Sequence, residues 1–199
     1  MSATLPLTTA QHGIWTGQQL AAPARFHVAA GFEVAGDLDP DLFDAAFRTV
    51  VAESEALRTR LHVQEGQQPR QSAGTLPPWS VPRVDLSRER TPLAAAVEWM
   101  RADVARPFDL TGGPLFRTAF LRLSATRVCW YLGCHHLAID GLGGALFARR
   151  LGDVYAALEG GTPPGPAPSV TIGTLLDTEH AYRASPDFAA DRDFWRARL

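Results

Sequence analysis

Val128-Cys129-Trp130-Tyr131-Leu132-Gly133-Cys134-His135-His136 is the stretch on which the reading of this 199-residue chain turns. Aromatic and β-branched residues make it a strand. Side chains of a strand alternate between the two faces, so an unbroken apolar run means that both faces are covered. The strand therefore belongs at the centre of a sheet, and it delivers two histidines from the middle of the core. Cys129 and Cys134 lie five apart on it, point to opposite faces and cannot pair locally. They are expected to be reduced and inert core residues.

Upstream, Leu115 to Leu123 reads as a second strand, joined through Ser124-Ala125-Thr126 as a hairpin. Phe108 to Pro114 is a turn-rich loop. Before it, Thr91 caps and Pro92 opens a helix whose stripe is Leu93, Ala96, Val97, Met100 and Val104. Gln64 to Pro82 reads as an exposed excursion after a strand at Leu57 to Val63. In Asp37-Leu38-Asp39-Pro40, Asp39 is placed to cap a helix that buries Leu42, Phe43, Ala46, Phe47, Val50 and Val51. Phe26 to Val34 is a strand, and Ala10 to Leu20 a polar helix anchored by Ile14 and Trp15.

Downstream, Gly141 to Leu158 predicts a helix with Phe147, Leu151, Val154, Tyr155 and Leu158 inward. Gly160 to Pro166 stops it, and about 160–170 forms a surface linker. Thr171 to Tyr182 and Pro186 to Leu199 are two closing helices, the last carrying Phe194 and Trp195.

At 199 residues and 46% hydrophobic composition the chain can bury one substantial core. A net charge of −2 with interleaved acids and bases gives no basic face for nucleic acid. No apolar run reaches the roughly 20 residues of a membrane span, and Met1-Ser2-Ala3-Thr4 does not begin a signal peptide. A cytosolic, soluble protein is expected, with no membrane partner.

Chemistry concentrates in His135-His136-Leu137-Ala138-Ile139-Asp140-Gly141. Adjacent strand residues face opposite ways, so one histidine faces a cavity and the other the packed interior. Asp140 is placed to cap the following helix. Gly141, Gly143 and Gly144 let a ligand approach, and free amides at that helix start can face developing negative charge. Histidine beside such donors has the parts for acyl transfer. His12, His27, His62 and His180 lack ligand spacing, so no metal site is expected. G-x-S-x-G is absent and Cys134 has no activating cation beside it, which disfavours a protein nucleophile.

These residues resemble the H-H-x-x-x-D-G motif of condensation domains of nonribosomal peptide synthetases and of the wider chloramphenicol acetyltransferase-like superfamily. Leu7-Thr8-Thr9-Ala10-Gln11-His12-Gly13-Ile14-Trp15 is similar to that family's opening A-Q-x-x-x-W motif, and this opening segment is similar to condensation domains of siderophore synthetases. Glu55-Ala56-Leu57-Arg58-Thr59-Arg60 is similar to its E-x-L-R-T motif. Phe108-Asp109-Leu110, Gly113-Pro114-Leu115-Phe116-Arg117 and Asp193-Phe194-Trp195 extend the likeness along nearly the whole chain. Glu53-Ser54 replaces the usual Arg-His pair, Gly13 an arginine, and Leu142 a tryptophan.

The resemblance implies an α/β (α+β) lobe of chloramphenicol acetyltransferase type, with a mixed, mostly antiparallel sheet flanked by helices. Residues 1–199 would be the N-terminal lobe, and the C-terminal lobe that closes the tunnel is absent. It implies amide formation between an acyl or peptidyl thioester donor and an aminoacyl acceptor, in antibiotic or siderophore biosynthesis. His136 would be catalytic, Gly141 would bring an amide to the substrate carbonyl, and His135 would be structural. Asp140 would pair with Arg58 to hold the loop. No cofactor would bind directly, since 4'-phosphopantetheine rides on the partner carrier proteins. The donor carrier is expected on a separate protein, with an adenylation domain adjacent. A vestigial docking module, or a related acyltransferase with the same motif, are the alternatives; His135 disfavours heterocyclisation domains, which have Asp there.

Overall fold

A computed structural model of the chain describes residues 4–20, 26–36, 38–168 and 170–199. Met1 to Ala3 of the stretch weighed as a signal peptide, Asp37 before the first capped helix and Ser169 of the linker lie outside the described residues. In chain order the elements are β1 (Leu5–Pro6), α1 (Thr9–Leu20), β2 (His27–Ala35), α2 (Pro40–Glu53), β3 (Thr59–His62), β4 (Arg70–Ala73), β5 (Arg83–Asp85), α3 (Pro92–Val104), β6 (Phe116–Arg122), β7 (Arg127–His135), α4 (Gly141–Glu159), α5 (Ile172–Arg183) and α6 (Pro186–Arg196).

The fold is the expected mixed α/β lobe, its strands divided between two sheets. The larger has the order β2-β7-β6-β5, with β7 inside it. β7 runs antiparallel to β2 and β6, whereas β5 lies parallel to β6. Alternation along β7 sorts the core into two. Val128, Trp130, Leu132 and Cys134 pack with Phe43, Phe47, Val50 and Val51 of α2 and Phe147, Leu151 and Val154 of α4. Cys129 and Tyr131 face α3, where Ala96 and Met100 meet them. The two free thiols are thus buried on opposite faces.

α2 begins as its sequence requires. Asp39 accepts from the amides of Asp41 and Leu42 at 2.8 and 3.1 Å, and Pro40 occupies the first turn. Its inner face centres on Phe47, whose ring meets those of Trp79, Phe116, Trp130 and Phe147. Each such buried side chain contributes roughly 1.5–3 kcal/mol. On the other face α3 approaches β2 closely: a Cβ on Gly31 would sit 2.8 Å from the Met100 sulfur.

Three expectations need correction. The excursion from Gln64 to Pro82 contains β4, which joins β1 and β3 in a second, antiparallel sheet. β4 reads Arg-Gln-Ser-Ala, so no apolar side chain betrays its buried position; Gln71 fills it, fully buried and hydrogen-bonded. Trp79, farther along, packs on the core with Arg48 stacked 4.4 Å above it. The strand expected from Leu57 starts only at Thr59, after a single tight turn at Ala56–Arg58.

The third correction concerns α3. Leu93 stands one turn before Ala96, the first fully buried residue of the helix, and is 48% exposed. Thr91 makes no side-chain cap bond. Instead α3 buries an acid. Asp103, 4% exposed, receives Arg106, Arg117 Nε at 2.8 Å and the Tyr131 hydroxyl at 2.8 Å. Arg117 also donates to the carbonyls of Asp103 and Arg106 and lies over the Phe108 ring, so it fastens the end of α3 to the loop below the histidines. No helix among the described residues is long and apolar enough to cross a membrane.

Candidate active site

β7 ends at His135, and the chain turns through Leu137 and Ala138 into α4. The turn is tied on every side. His135 N donates to Leu115 O at 2.9 Å, His136 N to Phe26 O at 2.8 Å, and Ala138 N to His135 O at 2.9 Å. The Leu137 amide donates to His135 Nδ1 at 3.1 Å. That nitrogen is therefore an acceptor, the ring proton sits on Nε2, and Nε2 donates to Gln18 Oε1 at 2.6 Å.

His135 is fully buried, its ring 5.6 Å from that of His27 and 6.0 Å from that of Phe108. Burial pushes its pKa down to about 4, helped by the neighbouring His27 and His136. Both of its ring nitrogens are committed to hydrogen bonds within the chain.

His136, one residue on, emerges on the other side. It is half-buried and lines a cavity of about 580 Å³ together with Gln11, Asp140, Leu146, Ile172 and Leu175. Its ring makes no hydrogen bond among the described residues, which leaves both nitrogens for a ligand. Asp140 caps α4: Oδ1 accepts from Gly143 N at 2.7 Å and its carbonyl from Gly144 N at 2.9 Å. The amides of Gly141 and Leu142 remain at the open end of the helix, where the macrodipole favours negative charge. Around Gly141 a Cβ would meet nothing within 4 Å, so the approach is unobstructed.

The expected Asp140–Arg58 pair is not formed among the described residues. Asp140 is engaged by the α4 amides, and Arg58 turns toward the second sheet, where Nη1 donates to Gly74 O at 3.3 Å. The ion pair at the cavity is another one. Arg150 of α4 holds Glu53 of α2 through Nε at 2.9 Å and Nη2 at 2.7 Å, with side chains 15% and 16% exposed. Glu53 stands where the resembled motif has arginine. Glu55, the first residue of the E-x-L-R-T stretch, accepts from Ile172 N at 2.9 Å and so seats the start of α5, which walls the cavity.

Periodicity gives no signal for these polar residues: Glu53 and Arg150 sit beside the apolar stripes of their helices, and Glu55 is marked only by the E-x-L-R-T likeness. Gln11 stands in the stretch similar to the A-Q-x-x-x-W motif and Gln18 falls within the helix expected from Ala10 to Leu20, and neither carries a local signal for its partner. Among the described residues no group of three or more His, Cys, Asp or Glu could hold a metal ion.

The Condensation domain family matches residues 1–199. An isonitrile lipopeptide synthase of Streptomyces coeruleorubidus is 42% identical over 201 residues, covering 100% of this chain and 14% of that protein. The first condensation domain of the CDA synthetase superposes with a TM-score of 0.90 at 32% identity, over 99% of this chain and 50% of that one. A variant of the starter condensation domain of rhizomide synthetase in complex with C8-CoA gives 0.91 at 38% identity, over 100% and 46%. The chain thus spans about half the length of these solved domains, and a much smaller share of the synthase.

Proposed function

We propose, from the premise that this chain belongs to the condensation domain family of nonribosomal peptide synthetases, that it supplies the histidine-bearing half of a site for amide formation between carrier-bound thioesters. The observation that carries this reading is His136: a half-buried imidazole with an uncommitted ring, at a cavity that the open end of α4 also lines.

The acceptor's amine attacks the donor's thioester carbon. A C–N bond forms, the carbonyl oxygen becomes an oxyanion, and collapse breaks the C–S bond to release the carrier thiol. His136 takes or holds the amine proton, which passes to the departing sulfur. Gly141 offers its amide to the oxyanion, and Asp140 keeps that helix end in place by capping it. His135 sets the direction of the turn, and Arg58 supports the neighbouring strands. A positioned base gives about 10²- to 10⁴-fold, and delivery of both partners on tethers supplies proximity. The 4'-phosphopantetheine belongs to the carrier domains, and no cofactor step falls to this chain.

The residues 1–199 are read as one lobe of a two-lobed domain. The edge of β2 carries no partner strand among the described residues, and Phe194 and Trp195 of α6 are 46% and 58% exposed. A second lobe over these surfaces would complete the site, and the lobe alone is expected to be inactive. An adenylation domain and carriers in the cytoplasm are the proposed partners. The C8-CoA complex of the rhizomide starter domain and the likeness to a lipopeptide synthase support a fatty acyl thioester as donor, and the cavity beside His136, walled by Leu142, Leu146, Val170 and Leu175, suits an apolar chain; its delivery by a carrier on a separate protein is part of the proposal.

The test supplies a loaded donor carrier and a loaded acceptor carrier to the protein with and without a second lobe, and reads amide product by intact mass. Product that requires the second lobe and disappears in His136→Ala supports the reading. Absence of product with both lobes present would favour a docking module; acyl transfer to an acceptor other than a carrier-bound amine would favour a related acyltransferase.

A further inference from the structure

Leu137, the residue that follows His136, is held at both of its backbone groups. Its N–H donates to His135 Nδ1 at 3.1 Å, and its carbonyl accepts from Gln11 Nε2 at 3.0 Å. Gln11 does not act by itself. Its Nε2 also donates to Gln71 Oε1 at 3.0 Å, while Gln71 Nε2 donates back to Gln11 Oε1 at 2.7 Å. The two amides form a reciprocal pair, closed as a ring.

The surrounding bonds orient that ring. Gln71 spends its other proton on Pro6 O at 2.9 Å, and Gln11 Oε1 accepts a second bond from Thr8 N at 3.0 Å. Every amide proton of the pair has an acceptor, so turning either amide over would set donor against donor. Gln71 is fully buried, where an unmet amide is costly. Among the described residues the second sheet, through β1 and β4, therefore reaches the catalytic turn by one polar contact, the Gln11 to Leu137 bond. Gln11 lines the cavity, and the carbonyl it holds belongs to the residue after the reacting histidine.

We infer that Gln11 and Gln71 act as a positioning pair for His136, fixing the turn so that its ring meets the acceptor's amine at the angle the reaction needs. The inference rests on the reaction proposed above, with His136 as the reacting group. Because the pair touches the peptide after the histidine, it governs the geometry of attack and leaves binding of the carriers alone. The two glutamines work as one unit, so a second substitution removes nothing that the first has left.

The test uses Gln11→Met, Gln71→Leu and the double variant, each checked for wild-type melting. Two readouts apply. The first is amide formation in the protein that carries this chain, with kcat and KM for the acceptor carrier separated. The second is the rate at which diethyl pyrocarbonate modifies His136, followed by peptide mass and referenced to the exposed His62. Gln11→Met should lower kcat about tenfold with KM unchanged, since small misplacements carry large rate costs. It should also change His136 modification at least threefold with His62 unaltered, and the double variant should match the more damaging single one. Unchanged kcat and unchanged His136 modification in a folded Gln11→Met would overturn the inference, as would additive losses. If Gln11→Met does not fold, Gln71→Leu decides by the same two readouts, because among the described residues its side chain reaches the turn only through Gln11. If the wild type makes no amide but His136 modification still responds, the positioning stands and the reaction assigned to it falls.

Discussion

Arg150 and Glu53 face each other across the contact of α4 with α2, joined by two hydrogen bonds of 2.9 and 2.7 Å at the rim of the cavity that His136 enters. Arg150 also donates to Gly165 O at 2.7 Å, so the same guanidinium fastens the segment between α4 and α5.

Removing one partner of this pair strands the other in a mostly buried place. Glu53→Ala and Arg150→Ala are each expected to cost about 2 kcal/mol, and the double variant little more than either. Denaturant unfolding of the four proteins gives the coupling directly. Additive losses would show that the pair contributes nothing as a pair.

His135 makes the fold sensitive to mild acid. Its pKa in the folded chain is about 4, below the ordinary 6.5, so on acidification the unfolded chain takes up the proton first. Stability is therefore full above pH 6.5 and declines as pH falls toward 4, by about 1.4 kcal/mol per pH unit. Unfolding free energies between pH 8 and 4 should bend downward near 6.5. A flat profile to pH 4.5 would mean that the imidazole is not held neutral.

Asp103 acts in a more acid window. Burial alone would raise its pKa, but hydrogen bonds from Arg117, Tyr131 and Arg106 outweigh burial and hold it below the usual carboxylate range. Its contribution is present above the unfolded value near 4 and is lost as pH falls through the lower folded value. Asp103→Ala should cost about 3 kcal/mol at pH 7, because it leaves Arg117 and the Tyr131 hydroxyl without their acceptor. Gly133→Ala should reproduce part of that loss, since its new Cβ would collide with the Tyr131 hydroxyl. Calorimetric melting of both variants checks the link. Wild-type melting of Gly133→Ala would break it.

The two thiols should be silent in the native protein. Burial pushes Cys134 up to about 12, and burial followed by the charge of Glu33 raises Cys129. A thiol-reactive disulfide reagent at pH 8 should label neither within an hour and both at once in denaturant. Rapid native labelling of Cys134 would mean that the core under α2 and α4 opens.

Much of the lobe was legible because its signals are local. The run at 128–134 reads as a doubly covered strand, and β7 is one, with Cys129 and Cys134 parted between its faces. Asp39-Pro40 and Asp140 read as helix starts, and their carboxylates cap α2 and α4. The fate of the two histidines followed from strand alternation, although which one is buried did not.

What escaped the sequence was polar and long-range. Gln71 is separated from Gln11 by 60 residues, and Arg150 from Glu53 by 97. Neither has an apolar neighbour pattern that would mark it as interior.

By its order of residues alone, then, the chain determined the central strand, the capped helices and the place of His136 between them, since these depend on alternation, helical period and caps that reach three or four residues. Only the tertiary structure decided that Arg58 turns to Gly74 and away from Asp140, that Arg150 meets Glu53, and that a glutamine pair reaches the turn after His136. A buried hydrogen bond is specified by where two distant groups come to rest, and nothing in the sequence near either of them records the other.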